Sequence, residues 1–362
     1  MLPTSGLVTM RRFIDSCKKS LGALTLVACA MSAVAIRAQA SADGASVGVP
    51  TEGALRHSID TGHPDVALKQ IATMRAAHTQ VAWLSRTEGL AEYAMNDLRG
   101  ADAAFAAALV EDPHDAEAAQ MRGFTLFRMG RPGDAIPLLE SASAQGALGK
   151  ADPKYILALC YMDTRRYDDA RHAFAAQFGF AADGAAAYLV AARMLLRREY
   201  VPVAQSFAQK ALEIQPGLPL AHELLGEIAL AGNRLDEAVA ELEKEKVADP
   251  LLPSVYEELG DAYNRAAKYD DAQRNLQEAL LLEPNATGPY NLLGKTMLKK
   301  GDAVAAATYL QRANQMDPEN YRTHSLLGQA YRAMGRSEDA SREAAIAQKL
   351  QDASEPKIEP AH

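Results

Sequence analysis

Residues 219–250 read PLAHELLGEIALAGNRLDEAVAELEKEKVADP, and the organisation of the chain follows from how this stretch recurs. Gly226 is echoed by Gly260, Gly294 and Gly328 at intervals of 34 residues, and twelve residues after each stands an alanine: Ala238, Ala272, Ala306 and Ala340. The same pairing runs backwards through Ala192 with Ala204, Ala158 with Ala170, Gly123 with Ala135 and Gly89 with Ala101, making eight units. A fixed period of this length describes an array of repeated units, each burying its apolar side against its neighbours.

Each unit is numbered so that the small residue of the first helix is position 8 and the alanine of the second is position 20. Position 27 is then alanine at Ala108, Ala142, Ala211, Ala279, Ala313 and Ala347, and position 32 is proline at Pro113, Pro216, Pro250, Pro284 and Pro318. Tyrosine stands at position 11 in Tyr161, Tyr263 and Tyr331, and bulk at position 24 in Phe105, Phe174, Leu242, Leu276 and Leu310. Small residues let two helices approach closely, the large one fills the groove between them, and proline stops the second helix. This pattern resembles the tetratricopeptide repeat. The resemblance covers residues 82–354 and implies an all-α fold, a right-handed α-α superhelix of about eight to nine helix–turn–helix repeats.

Departures from the pattern locate joints and ends. Gln177 and Glu245 replace alanine at position 27, and the unit around Ala158 ends at Ala182 instead of proline, which reads as a looser joint. One inserted residue falls in the connection from Ser143 to Lys150. Residues 48–81 read as a degenerate N-terminal repeat, with Ala67 at position 20 but Leu55 at the small-residue site and Thr79 at the proline site, as suits a cap. Asp352 takes the proline site of the last unit, and the tail, 355–362, reads as disordered.

Ahead of the repeats, Arg11, Arg12, Lys18 and Lys19 precede an apolar run from Leu21 to Ile36, and Ala38-Gln39-Ala40 follows as a small-x-small signature. That order predicts a signal peptide over 1–40, cleaved after Ala40, then a short linker at 41–47. Rival readings are a lipobox at Leu26-Val27-Ala28-Cys29 that would anchor the chain by lipid through Cys29, a twin-arginine signal at Arg11-Arg12, and a permanent membrane span; Met10 is a second possible start. The expected location is the periplasm or the exterior.

The chain has 362 residues, 48% hydrophobic and 23% charged, with 6% aromatic, a composition that supports packed helices rather than disorder or a β-sandwich. Its formal charge is −8; removing 1–40 leaves 33 basic against 45 acidic residues, a charge of −12. Such a chain without a basic stripe is a poor nucleic-acid binder. Cys17 and Cys29 lie in the leader, so Cys160 has no intramolecular disulfide partner.

The repeats leave too little chain for a catalytic domain, so a non-enzyme is expected. No glycine-rich phosphate loop occurs, and His222-Glu223 lacks the second histidine of a zinc-protease helix and reads as surface. Cys160, at position 10 beside the packed small residue, reads as a buried structural thiol, and Asn285-Ala286-Thr287 as ordinary turn chemistry. No cofactor or metal is implied.

The resemblance implies a partner-binding inner face lined by the first helices, mainly through positions 2, 5, 9, 12 and 13. Carried onto this sequence, those positions are apolar near the N-terminus (Leu90, Tyr93, Phe124, Phe127, Tyr155, Leu159, Met162) and acidic in the middle (Glu223, Glu227, Glu257, Asp261). They turn polar and basic toward the C-terminus (Asn291, Lys295, Lys299, Arg322, Gln329, Arg332). The carboxylate clamp of some family members, lysine then asparagine at positions 5 and 9, is not matched: Asn291 and Lys295 stand in reversed order. The expected function is an envelope scaffold that holds a peptide or protein segment in the groove, with the aromatic cluster as anchor. Solvation of the charged faces reads equally well. Alternatives are a self-associating structural element, or a subunit that positions substrate for a separate enzyme or export machine.

Overall fold

A computed structural model describes residues 49–145 and 152–354; the predicted leader, the linker, part of the Ser143 to Lys150 connection and the tail at 355–362 lie outside the described residues. The repeat body begins at Pro50 as a compact unit of its own. Among the described residues there are 18 helices and no strand. They form consecutive pairs: α1 (Glu52–Asp60) with α2 (Pro64–Ala76), α3 (Leu84–Ala94) with α4 (Leu98–Glu111), and α5 (Ala116–Arg128) with α6 (Pro132–Gln145). There follow α7 (Pro153–Asp163) with α8 (Tyr167–Phe178), α9 (Ala185–Arg197) with α10 (Val201–Ile214), and α11 (Ala221–Ala231) with α12 (Leu235–Ala248). The last are α13 (Pro253–Arg265) with α14 (Tyr269–Leu282), α15 (Thr287–Lys300) with α16 (Ala303–Met316), and α17 (Tyr321–Ala333) with α18 (Ser337–Ser354). Among the described residues no helix is long and apolar enough to cross a membrane.

The hairpin turn recurs from pair to pair, with one residue in the left-handed region at position 15. Glycine fills it at Gly130, Gly301 and Gly335, but Asn96, Arg165, Glu199, Asn233 and Ala267 adopt it with φ between 54 and 64. In the first pair Gly62 takes the same conformation at φ 84. L-residues meet their own carbonyl there at a cost of about 1–2 kcal/mol, so the demand for a tight reversal outweighs the local preference. The proline at position 32 acts on the residue before it: the C-cap residues Asp249 and Glu283, directly ahead of Pro250 and Pro284, have left the helix at φ −136.

Within a pair, the close approach is made by position 8 under position 24. A Cβ on Gly226 would stand 2.5 Å from Leu242 Cγ, and one on Gly260 2.5 Å from the Leu276 side chain, so hydrogen is the largest group that fits. Both leucines are fully buried. Where position 24 shrinks to Ala208, position 8 is Ala192, and both are again fully buried. Successive odd-numbered helices also pack on one another, whereas successive even-numbered ones stay apart, which puts the odd-numbered helices on the inner wall of the stack.

The irregular joints are reinforced. Glu245, only 1% exposed, accepts from the backbone N–H of Leu220 at 2.8 Å and of Glu223 at 3.3 Å, and so caps α11 from the second helix of its own unit. Gln177 on α8, with its amide turned so that the nitrogen donates, reaches the carboxylate of Asp152, the N-cap residue of α7, at 3.0 Å. Glu245 thus supplies a cap and Gln177 braces the residue that caps α7, which corrects the reading of these two positions as looseness. At Ala182, the buried Arg171 donates to the Ala182 carbonyl and to Asp183, and its guanidinium lies 4.2 Å over the Tyr188 ring. At this joint the inner helices, α7 and α9, pack less closely than the other successive inner pairs. The last helix runs to Ser354 through Asp352.

Candidate functional site

The inner wall presents positions 5, 9, 12 and 13 of the odd-numbered helices. Its N-terminal part differs from the expected aromatic patch. Phe124 is 8% exposed, Leu159 5% and Met162 0%, which corrects the expectation that they stand open in the groove. The reason is that α5 and α7 pack directly against each other, and their apolar side chains fill the seam between them. Leu90, Tyr93, Phe127 and Tyr155 remain half-buried. The Arg128 guanidinium lies 4.7 Å from the Tyr93 ring centre and that of Arg198 6.0 Å from Phe127, while Tyr155 stands edge-on to Phe174 at 5.9 Å.

Beside this part lies a charged network that position-by-position reading missed. Arg56 donates to Glu52 and Glu117, both at 2.8 Å, and Arg86 donates to Glu52 and Asp115, both at 2.7 Å. The hydrogen bond from Arg56 holds the Glu117 carboxyl below its ordinary range despite burial. The residues come from three consecutive units, so only the stacking of α1, α3 and α5 assembles them. The legible signal was the run of opposite charges at positions 5 and 9 of neighbouring units, Glu52 and Arg56 before Arg86.

The acidic middle is closed around one cation. Arg193, 7% exposed, donates to Glu223 at 3.1 Å and to Glu227 at 3.0 Å, and Glu223, 0% exposed, also accepts from Ser254 at 2.5 Å. Carboxylate oxygens of Glu223, Glu227 and Glu258 lie within 4.8 Å of one another. Burial opposes the guanidinium charge, but the Glu227, Glu223 and Glu258 carboxylates outweigh it and hold Arg193 protonated. Arg193 is thus the cation of this cluster, paired with Glu223 and Glu227, one positive charge against three carboxylates. Glu223 is core rather than an exposed contact, a second correction. Asp261 is taken by Arg265 at 2.6 Å, which also donates to the Leu230 carbonyl at 3.0 Å, and Glu257 lies over Gly288.

The C-terminal part is open. Asn291 accepts from Thr323 at 2.9 Å, tying α15 to α17. Lys295 is half-buried, while Lys299, Arg322, Gln329 and Arg332 are exposed. Elsewhere, His222 is held by Glu241 at 2.6 Å, so it is an intra-unit contact rather than a free surface residue, and His324 repeats the arrangement with Glu343 at 2.6 Å. Cys160 is 0% exposed, and burial pushes its thiol up to about 12, leaving it protonated and inert as a nucleophile.

Models of the tetratricopeptide repeat match residues 86–153, 121–178 and 257–321, and a second such model matches 297–355. Together they span more than half of the chain. No curated protein matches. Among solved structures, a crystal structure of MamA protein is 20% identical and covers 49% of this chain and 98% of that one, with a TM-score of 0.42. MamA from Desulfovibrio magneticus RS-1, from residue 41 to its end, is 18% identical over 48% of this chain and 97% of that one, with a TM-score of 0.44. The thermophilic repeat protein TTC0263 of Thermus thermophilus is 19% identical over 47% of this chain and 93% of that one, with a TM-score of 0.42. With the period, the paired helices and the family models in agreement, the chain belongs to the tetratricopeptide-repeat family.

Proposed function

We propose that this protein is a non-enzymatic adaptor of the bacterial envelope that holds a segment of another protein along its inner wall. Repeats of this family are in general protein-interaction modules, and the finer reading rests on one observation. The odd-numbered helices line the inner side of the stack, packed on one another most loosely at the α7–α9 joint, and Leu90, Tyr93, Phe127 and Tyr155 on them keep part of their surface open. Half-buried Leu90, Tyr93, Phe127 and Tyr155 supply apolar contact at one end, and the cations of α15 and α17 supply polar contact at the other. The envelope assignment is supported by the basic stretch, apolar run and Ala38-Gln39-Ala40 at the start of the sequence.

The test has two arms. N-terminal sequencing of the mature chain after cell fractionation is expected to begin at Ser41 in the periplasmic or culture fraction; retention in the cytoplasm with an intact leader ends the envelope assignment. Affinity capture from envelope extract is then compared between the parent and a variant with Tyr93, Phe127 and Tyr155 changed to Ser. Both chains are first verified by circular dichroism. A defined protein captured by the parent and lost by the variant supports the adaptor; equal capture by both removes the wall from the binding reaction.

A further inference from the structure

We infer that the inner faces of α15 and α17 are a docking surface for an acidic, extended segment of a partner protein. This rests on the adaptor reading and adds the chemistry of the partner. The two helices carry Lys295, Lys299, Lys300, Arg322 and Arg332 and contain no aspartate or glutamate, in a chain whose formal charge is −8.

The cations differ in what holds them. Lys300 is engaged by Asp270 at 2.6 Å and Gln273 at 2.7 Å, and Arg322 donates to its neighbour Tyr321 at 3.1 Å. Lys295, Lys299 and Arg332 have no ion pair and no side-chain hydrogen bond among the described residues. On the inner helices from α1 to α13, pairing is the rule. Arg56, Arg86 and Arg193 sit in carboxylate networks, Arg122 holds Asp102, Lys154 faces Asp152, and Arg265 holds Asp261. Over those helices these cations have acidic partners; at the C-terminal end of the wall three like charges stand without counter-ions among the described residues. A half-buried ammonium such as Lys295 gains most from a carboxylate brought to it, because water reaches it only in part.

Geometry selects a short extended segment. Lys295 and Lys299 are one turn apart, a rise of about 6 Å. Arg332 lies on α17, which packs directly beside α15, and adjacent helix axes are about 8–10 Å apart. An extended chain advances about 3.3 Å per residue, so carboxylates two or three residues apart match these separations. A nucleic-acid backbone fits poorly, since a strand continuing along the wall meets Glu223, Glu227, Glu257, Glu258 and Asp261 on α11 and α13. An acidic segment of a few residues is confined to the basic end.

The experiment titrates the full chain into a fluorescein-labelled twelve-residue peptide of alternating glutamate and alanine and follows anisotropy at low and at physiological salt. Parallel probes are the lysine–alanine counterpart and a single-stranded oligothymidylate of equal charge. Variants are Lys299→Glu with Arg332→Glu, and Lys349→Glu on the neighbouring α18 as control; thermal melts establish that both fold. The acidic peptide is expected to bind, more weakly at higher salt, with affinity lowered about tenfold or more by the double variant and less than about twofold by the control. Absence of acidic-peptide binding at low salt, or binding indifferent to the double variant, overturns the proposal. Tighter binding of the oligothymidylate through the same two residues also overturns it and reassigns the surface to phosphates. If the double variant still captures the partner that the parent captures from envelope extract, this inference fails while the adaptor reading stands.

Discussion

The inner helices α9, α11 and α13 and the inner helices α15 and α17 occupy equivalent places in the stack yet use charge in opposite ways. In the first group Arg193 draws Glu223 and Glu227 into buried or half-buried pairs that join one unit to the next, and Arg265 holds Asp261. In the second, the link between units is a neutral Thr323 to Asn291 hydrogen bond, and Lys295, Lys299 and Arg332 are left unpaired among the described residues. The same repeat position can therefore be mortar or contact surface. What decides is whether the adjacent helix supplies a counter-charge within reach.

The largest expected effect separates the two groups directly. Arg193→Ala leaves Glu223, Glu227 and Glu258 without their shared cation and is expected to destabilise the fold by about 3–5 kcal/mol in urea unfolding, whereas Arg332→Ala changes stability by less than about 0.5 kcal/mol. Similar losses from both would erase the distinction. Next comes packing: Gly260→Ala forces a methyl into Leu276 and is expected to cost about 1–3 kcal/mol. Gly328→Ala in the last unit, which faces Ala344 at the corresponding site and no leucine, is expected to cost less. Equal melting temperatures for these two variants would show that position 24 does not set the tolerance of position 8.

Glu92 on α3, which lies against Gly100 of α4, tests charge balance within a helix pair rather than along the wall. Burial, then the nearby Glu88 and Asp97, raise its pKa from the ordinary 4.5 to about 7. The native state consequently holds this proton more tightly than the unfolded chain, and stability falls as pH rises between 4.5 and 7. Glu92→Gln is expected to raise the melting temperature at about pH 8 and to leave it nearly unchanged at about pH 4.5; a benefit that is the same at both pH values would exclude titration of Glu92 as the cause. The smallest effect concerns the hairpin turn, where α15 and α17 are followed by Gly301 and Gly335 but α13 by Ala267 at φ 57. Ala267→Gly is expected to add about 0.5–1 kcal/mol, measured by chemical denaturation.

Individual residues show where the legibility of the sequence ends. Gly226 and Leu242 announce a hairpin because their types answer a local demand that recurs every 34 residues. Phe124 departs from its expected exposure because whether position 9 opens to solvent depends on how closely the next inner helix approaches, and nothing within its own unit encodes that distance. Glu245 looks like a defect in an alanine pattern, and its value as a cap emerges only once folding brings the unsatisfied N–H groups of Leu220 and Glu223 within its reach.

The sequence by itself determined the repeat, the helix pairs, the turn positions and the excess of cations on α15 and α17, since each depends on interactions within one unit of chain. Only the tertiary structure decided which inner-wall side chains are seam, which are ion pairs and which are free. Arg193 with Glu223 and Glu227, and Arg56 with Glu117, come from different units, and an ion pair or a buried contact exists only where stacking brings its two halves to within a few ångströms.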